Sequence, residues 1–541
     1  LNPLKEQSVF IRALILSLSL LWAAACSHAR ADSVLRIAMT ASDIPTATGM
    51  PNNGFEGMRF MGYPVFEGLV LWELTKTDQL ASLRPGLAET WEQDPADKKT
   101  WIFHLRQGVK FHDGSDFDAD AVIWNLERYF NQSSPQFEAA GSGITRARAP
   151  LMESYRKIDA NTVAITSKSP ASYFPYMLVY VLFTSPASFE KAGKDWSKVP
   201  SVPAAGTGPF RIERVVPRVE AGLARWDGYW DPAKKAKVDR VLLKPVPEAT
   251  ARVAALRSGQ VDWIEVPPAD AVDSIKAAGF EIKTGSYPHV WPWFFNIGAK
   301  DSPFKDVRVR QALNYCVDRS GISTLLSGLA EPSVGWLKPS DPNFGTPANR
   351  YAFDPEKGKA LLAQAGYTPG KPLTFKVMIS PSGSGQMLPL PMNEYMQENL
   401  KQSCGVQVEF ETVEWTVLLA QARSVPDSPS LRGALALNIS SPSSDPGVMA
   451  RYFAAASFSP NGFNFEQWKD EEFEHALADL ANSTDPKLIA AAYRKAHERL
   501  VDNPPWLFIV HDLNPRAMSP KVKGFISPQS WFLDLTTVSV D

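Results

Sequence analysis

Polar and apolar positions alternate over residues 34–39, which predicts a strand, and a loop rich in Ser, Thr, Pro and Gly follows over 40–53. Residues 87–91 read as a helical turn, and 100–105 as a strand with Trp101, Phe103 and Leu105 on one face. The acidic start at Asp118 and the spacing of Val122, Leu126 and Tyr129 predict an amphipathic surface helix over 118–130. Strands are expected at 162–166, 210–215 and 240–245, then a helix at 248–258 closed by Gly259. The second half predicts a strand at 292–297, one helix over 306–326, and a helix at 354–365 closed by Gly366. A strand at 373–379, a helix at 392–401 and strands at 406–412 and 434–439 follow. A Ser-Pro loop at 440–447 then leads to helices at 469–480 and 487–501. This alternation predicts α/β lobes with partly parallel sheets.

The 541 residues, 44% hydrophobic and 21% charged, are globular in composition and long enough for several folding units. A formal charge of −2 leaves no basic footprint for a nucleic-acid backbone. Residues 1–31 differ from the rest: Lys5 and Arg12 precede an apolar run, and Ala29-Arg30-Ala31 supplies a small-x-small cleavage pattern. This predicts a secretory signal peptide over 1–31, with Cys26 as a lipid-modified cysteine in the competing reading. Cys316 and Cys404 each sit in an apolar pattern and read as two buried thiols rather than a disulfide.

Catalytic and metal motifs are missing. The chain has no Gly-x-Ser-x-Gly elbow, no His-Glu-x-x-His helix and no phosphate loop. His497-Glu498 reads as a solvated helix face, and Asp113, Asp116, Asp118 and Asp120 as turn and helix-start acids rather than a calcium loop. No catalytic residue, metal ligand or cofactor is therefore expected. The conspicuous feature is Trp291-Pro292-Trp293-Phe294-Phe295-Asn296, whose alternation sends Trp291, Trp293 and Phe295 to one side. That side is either the core or a ligand-facing wall.

Several segments in order carry a family resemblance. They include Leu83-Arg84-Pro85-Gly86-Leu87-Ala88-Glu89-Thr90-Trp91, Phe103-His104-Leu105-Arg106-Gln107-Gly108-Val109-Lys110-Phe111-His112-Asp113-Gly114 and Gly206-Thr207-Gly208-Pro209-Phe210. Trp226-Asp227-Gly228-Tyr229-Trp230, Ala255-Leu256-Arg257-Ser258-Gly259-Gln260-Val261-Asp262 and Pro303-Phe304-Lys305-Asp306-Val307-Arg308-Val309-Arg310-Gln311-Ala312-Leu313-Asn314-Tyr315 continue the series. Together they resemble the extracytoplasmic solute-binding proteins of the peptide/nickel/opine class, family 5, that serve ABC importers. On residues alone, the Gly206 and Gly208 turn reads as backbone needing positive φ, and Arg308 and Arg310 as scaffolding, at least one paired with Asp306, Asp318 or another acid.

The resemblance implies the large, cluster C type of two-lobed α/β periplasmic-binding-protein fold, with hinge strands between the lobes. Lobe I would comprise 32–73, 203–289 and 511–541, with 74–202 an inserted subdomain, and lobe II would comprise 290–510. It implies a monomeric periplasmic receptor, not an enzyme. Such a receptor captures a small organic solute, a peptide, opine or similar, and hands it to a permease with its ATPase subunits. A secreted hydrolase and a non-transport chaperone or signalling receptor are the rival readings. Expected cleft residues are Asp43, Glu56, Trp291, Trp293, Asn296, Ser440, Ser441, Ser443 and Asp445. In peptide binders of the family an Asp three residues before the Asp of an Asp-Pro pair holds the ligand ammonium. Here the pair is Asp445-Pro446 and that position is Pro442, so a free-amine peptide loses its expected partner unless Asp43 or Glu56 replaces it.

Overall fold

The computed structural model describes residues 32–541 except 53, 200, 286–288, 384, 443 and 484, so the signal-peptide and Cys26 readings lie outside the described residues. Three sheets organise the chain. The first has the order Glu281–Lys283, Arg516–Met518, Trp263–Glu265, Val34–Met39, Arg240–Pro245, Glu220–Arg225 and Phe210–Val216. Val34–Met39 runs parallel to both of its neighbours, and the outer pairs are antiparallel. Both faces of this strand are covered: Leu35, Ile37 and Met39 pack into one core and Ala38 into another, so all four are buried.

The second sheet, in lobe II, runs Ala330–Pro332, Trp506–Asp512, His289–Phe295, Ala434–Asn438, Thr374–Ile379 and Gln407–Thr412, and Ser441–Pro442 adds to the start of His289–Phe295. The chain crosses between the two sheets from Lys283 to His289 and again from Asp512 to Arg516. A separate four-stranded antiparallel sheet, Ala88–Gln93, Thr100–Leu105, Thr162–Ser167 and Met152–Asp159, forms the insertion. Its helix Ala119–Phe130 starts where the acidic signal placed it, because the Asp118 carboxylate accepts from Ala121 N at 2.9 Å.

Several expectations are corrected. Residues 87–91 are not helical: Ala88–Gln93 is a strand whose Trp91 faces Phe103 on Thr100–Leu105, and cross-strand pairing outweighs a propensity carried by five residues. The helix expected over 306–326 is two, Val307–Cys316 and Arg319–Leu325, because Val317 turns extended and Asp318 caps the second through Ser320 and Gly321 N–H. Cys316 and Cys404 form a disulfide, their Cα atoms 6.0 Å apart at the ends of Val307–Cys316 and Pro389–Cys404. Two helix ends meeting 88 positions apart in sequence is a tertiary fact that neither local pattern encodes.

Gly206 and Gly208 are required for space rather than for positive φ. A Cβ on Gly206 would stand 2.0 Å from the Val65 carbonyl oxygen, and one on Gly208 would stand 2.6 Å from that of Pro64. His497 is fully buried rather than solvated: Nε2 accepts from Leu337 N at 3.0 Å and Nδ1 meets the Phe344 carbonyl at 2.7 Å. Glu498, its neighbour, accepts from Thr346 N at 2.8 Å. Arg308 pairs with Asp306 at 2.6 Å as the pattern suggests, whereas Arg310 donates to the Pro504 carbonyl at 2.8 Å.

Candidate ligand-binding cleft

Two of the expected cleft acids are occupied within lobe I. Both Glu56 oxygens are taken, by Thr40 N at 2.7 Å, Thr40 Oγ1 at 2.8 Å and Ala41 N at 2.9 Å, which pins the loop after the first strand. Burial, reinforced by nearby Glu265, raises the Glu56 carboxyl above its ordinary range. Asp43 is half-exposed, accepts from Ile44 N at 2.7 Å, and lies 3.9 Å from Arg218 Nε on the hairpin turn of the same lobe.

The aromatic strand alternates as its sequence predicts, and the two indoles serve the interior of lobe II rather than a ligand-facing wall. Trp291 and Trp293 are fully buried, donating to Gln386 Oε1 at 3.0 Å and to Asn393 Oδ1 at 2.8 Å. Phe294, on the opposite face, stacks on Trp506 at 4.5 Å. Asn296 is also buried, donating to the Pro426 carbonyl at 2.8 Å and accepting from Ala299 N at 3.2 Å, so it holds a turn.

The Ser-Pro loop is where expected residues converge. Gln386 links Trp291 to Ser440, donating to Ser440 Oγ at 3.0 Å. Ser441 is buried and pairs through its backbone with Val290, and Pro442 with His289. Ser443 lies outside the described residues. Asp445 caps the helix Pro446–Phe453, accepting from Val448 N at 3.1 Å and Ser444 Oγ at 2.9 Å, while burial raises its carboxyl.

Lobe II meets the insertion at this helix and at the helix Glu471–Asn482, where Ser172 N donates to the Ala481 carbonyl at 3.0 Å and its hydroxyl to that of Leu480 at 2.7 Å. The Arg451 guanidinium lies 5.8 Å from the ring of Tyr180, which belongs to the insertion, and 5.2 Å from that of Tyr452. Arg148 approaches Tyr180 as well, at 5.5 Å, and is lowered to about 10 by burial and by the like charge of Arg451. Between insertion and lobe II a cavity of about 250 Å³ opens, lined by Met152, Lys168, Arg423, Arg451 and Phe463 among others. The sequence reading missed this arginine group. Its one signal is Arg451 in the otherwise apolar run Val448-Met449-Ala450-Arg451-Tyr452-Phe453. Among the described residues no three His, Cys, Asp or Glu side chains gather as a metal site, and no helix is long and apolar enough to cross a membrane.

A family model for bacterial extracellular solute-binding proteins, family 5 middle region, matches residues 82–464. The chain belongs to this family. Members of family 5 are binding receptors rather than enzymes. Heme-binding protein A of Haemophilus influenzae is 27% identical over 499 residues, covering 88% of this chain and 87% of its own. The dipeptide-binding protein of Escherichia coli is 27% identical over 488 residues, covering 86% of both chains. Among solved structures, the ABC transporter-associated periplasmic binding protein DppA of Helicobacter pylori, in complex with the peptide STSA, superposes with a TM-score of 0.79 at 21% identity. That match covers 94% of this chain and 98% of the other, and it shows that the family 5 member has the two-lobed α/β fold expected from its sequence.

Proposed function

We propose that this family 5 protein is the periplasmic receptor of an ABC importer, capturing a small organic solute between its lobes and presenting the closed form to a membrane permease. The observation that carries the reading is the double crossing between the lobe sheets, Lys283 to His289 and Asp512 to Arg516, which gives two short connections about which rigid lobes can rotate. Solute binding favours the closed arrangement only through contacts made to both lobes at once, so affinity and closure are one equilibrium. The permease's ATPase supplies the energy of transport, and the receptor needs no covalent step.

Family membership and the names of the relatives, which bind heme or dipeptides, support an organic cargo but leave its chemistry open. Pro442 argues against the usual anchoring of a free α-ammonium. It stands where peptide binders of the family carry the ammonium-holding Asp, and its backbone is engaged with His289. Boundaries near 73, 202, 289 and 510 suit the lobes and the insertion, and a monomer suits a receptor that encloses its ligand.

The test is a thermal-shift screen against dipeptides, tripeptides, opines, oligosaccharides and nickel. A cargo at 100 times its dissociation constant adds about 2.7 kcal/mol to stability. The expected result is stabilisation by one class, with the compound recovered chemically unchanged and a smaller radius of gyration in solution scattering. Conversion of the compound to a product would contradict the receptor reading.

A further inference from the structure

The arginines at the seam between insertion and lobe II bear on the cargo's charge. Arg451 is only 4% exposed, yet its buried Nε has no acceptor and no ion pair ties its guanidinium among the described residues. Its neighbours are rings: Tyr180, Tyr452 and, at 5.5 Å, Phe463. Aromatic faces attract a cation but offer its five N–H donors no lone pairs in the plane of the guanidinium. Arg423 approaches the same Phe463 ring, at 4.7 Å, and is itself exposed at the cavity.

The cavity's other cations are committed to the fold. Arg146 Nε donates to the Tyr129 carbonyl at 3.2 Å, and Lys168 to that of Pro150 at 2.8 Å. None of the described residues that line the cavity is acidic. Asp445 acts on Arg451 through space, but its oxygens are engaged by Val448 and Ser444. Ring faces and a through-space carboxylate offset only part of the several kcal/mol that burying a cation without an ion pair costs, so Arg451 sits there at a net cost to the fold.

Resting on the receptor reading, we infer that the cargo carries an oxyanion, a carboxylate or a phosphate, which seats against Arg451 and Arg423 in this cavity. Arg148, which approaches the same Tyr180 ring as Arg451, adds its field. About 250 Å³ accommodates an acidic end group, while whole ligands of drug size occupy larger pockets, so this is one subsite of the cleft. A guanidinium presents paired N–H groups that match a carboxylate or phosphate edge, and the excluded water strengthens that pairing.

The test compares wild type, Arg451→Met, Arg423→Met and Lys495→Met, all dialysed free of cargo. Lys495 is a surface residue paired with Glu472 at 2.8 Å and serves as the charge control. Melting is followed in citrate and in inorganic phosphate, each against chloride at equal ionic strength. The expected result is a rise of about 2 °C or more in wild type and Lys495→Met, a reduced rise in Arg423→Met and none in Arg451→Met. In chloride alone Arg451→Met should melt no lower than wild type. A response to citrate only assigns the site to a carboxylate, and a response to phosphate only assigns it to a phosphate. Equal responses with and without Arg451, no response in wild type, or failure of Arg451→Met to fold would overturn the inference. A solute from the receptor screen that stabilises wild type and Arg451→Met alike would defeat this subsite and leave the receptor reading intact.

Discussion

Arg516 in lobe I and Arg451 at the seam are almost equally hidden from water, at 1% and 4% exposure, yet their surroundings are opposite. Arg516 Nε donates to Glu265 Oε1 at 2.8 Å, Arg59 pairs with the other oxygen of the same carboxylate, and Trp263 Nε1 adds a third bond at 2.8 Å. Burial alone would raise the Glu265 carboxyl, but the two guanidiniums hold it below the usual carboxylate range. Arg451 has rings and a cavity where Arg516 has a carboxylate. A buried arginine that the fold has paired is structural. One that the fold has left beside a cavity is available to a ligand.

The largest effect expected from this contrast is Glu265→Gln, which removes the carboxylate that Arg59 and Arg516 share and should cost about 3–5 kcal/mol. Thermal unfolding would show it, and a loss under about 1 kcal/mol would place Arg451 and Arg516 in the same category. Next comes the lobe II crosslink. Replacing Cys316 and Cys404 together with Ser should lower stability by about 2–4 kcal/mol. Hydrogen exchange should localise the loss to Val307–Cys316 and Pro389–Cys404 and leave the Glu265 cluster protected.

Two buried histidines and the paired Glu265 carboxylate should also respond to acid in different windows. His497 and His511, both buried, are lowered by burial to about 4 and about 3. Their neutral forms stabilise the fold fully above the unfolded value near 6.5, and that stability is lost as pH falls from there towards 4, at up to roughly 1.4 kcal/mol per pH unit for each. Glu265, with its lowered value, gives up stability as pH falls through about 4.5, where the unfolded carboxyl is half protonated. His497→Gln should therefore flatten the dependence of melting on pH between 7 and 4. The smallest effect belongs to Asp43→Ala, whose half-exposed contact with Arg218 is worth under about 0.5 kcal/mol. A tenfold loss of cargo affinity in that variant would instead place Asp43 against the ligand.

Much of the architecture was legible because its punctuation is local. Asp118, Gly259 and Gly366 mark helix ends that need only neighbouring backbone, and the structure uses Asp118 as a cap and both glycines at positive φ. Gly206 was singled out by motif but for the wrong physical reason, since the carbonyl that excludes a Cβ belongs to Val65, far away in sequence. The indoles of Trp291 and Trp293 were visible as one face, but which side that face meets depends on Gln386 and Asn393, about a hundred positions downstream. The Cys316–Cys404 bond and the burial of His497 depend likewise on helices arriving from elsewhere. Arg451 was least legible: a lone arginine on a helix ordinarily reaches solvent, and here Tyr180 arriving from the insertion, together with Tyr452 and Phe463, surrounds it.

The most direct measurement is mass spectrometry of the small molecule released on denaturing the purified protein, from wild type and Arg451→Met in parallel. The account predicts an organic molecule bearing a carboxylate or phosphate in wild type, chemically unaltered and depleted at least tenfold in the variant. An uncharged or purely cationic cargo, retained equally by both proteins, would contradict it.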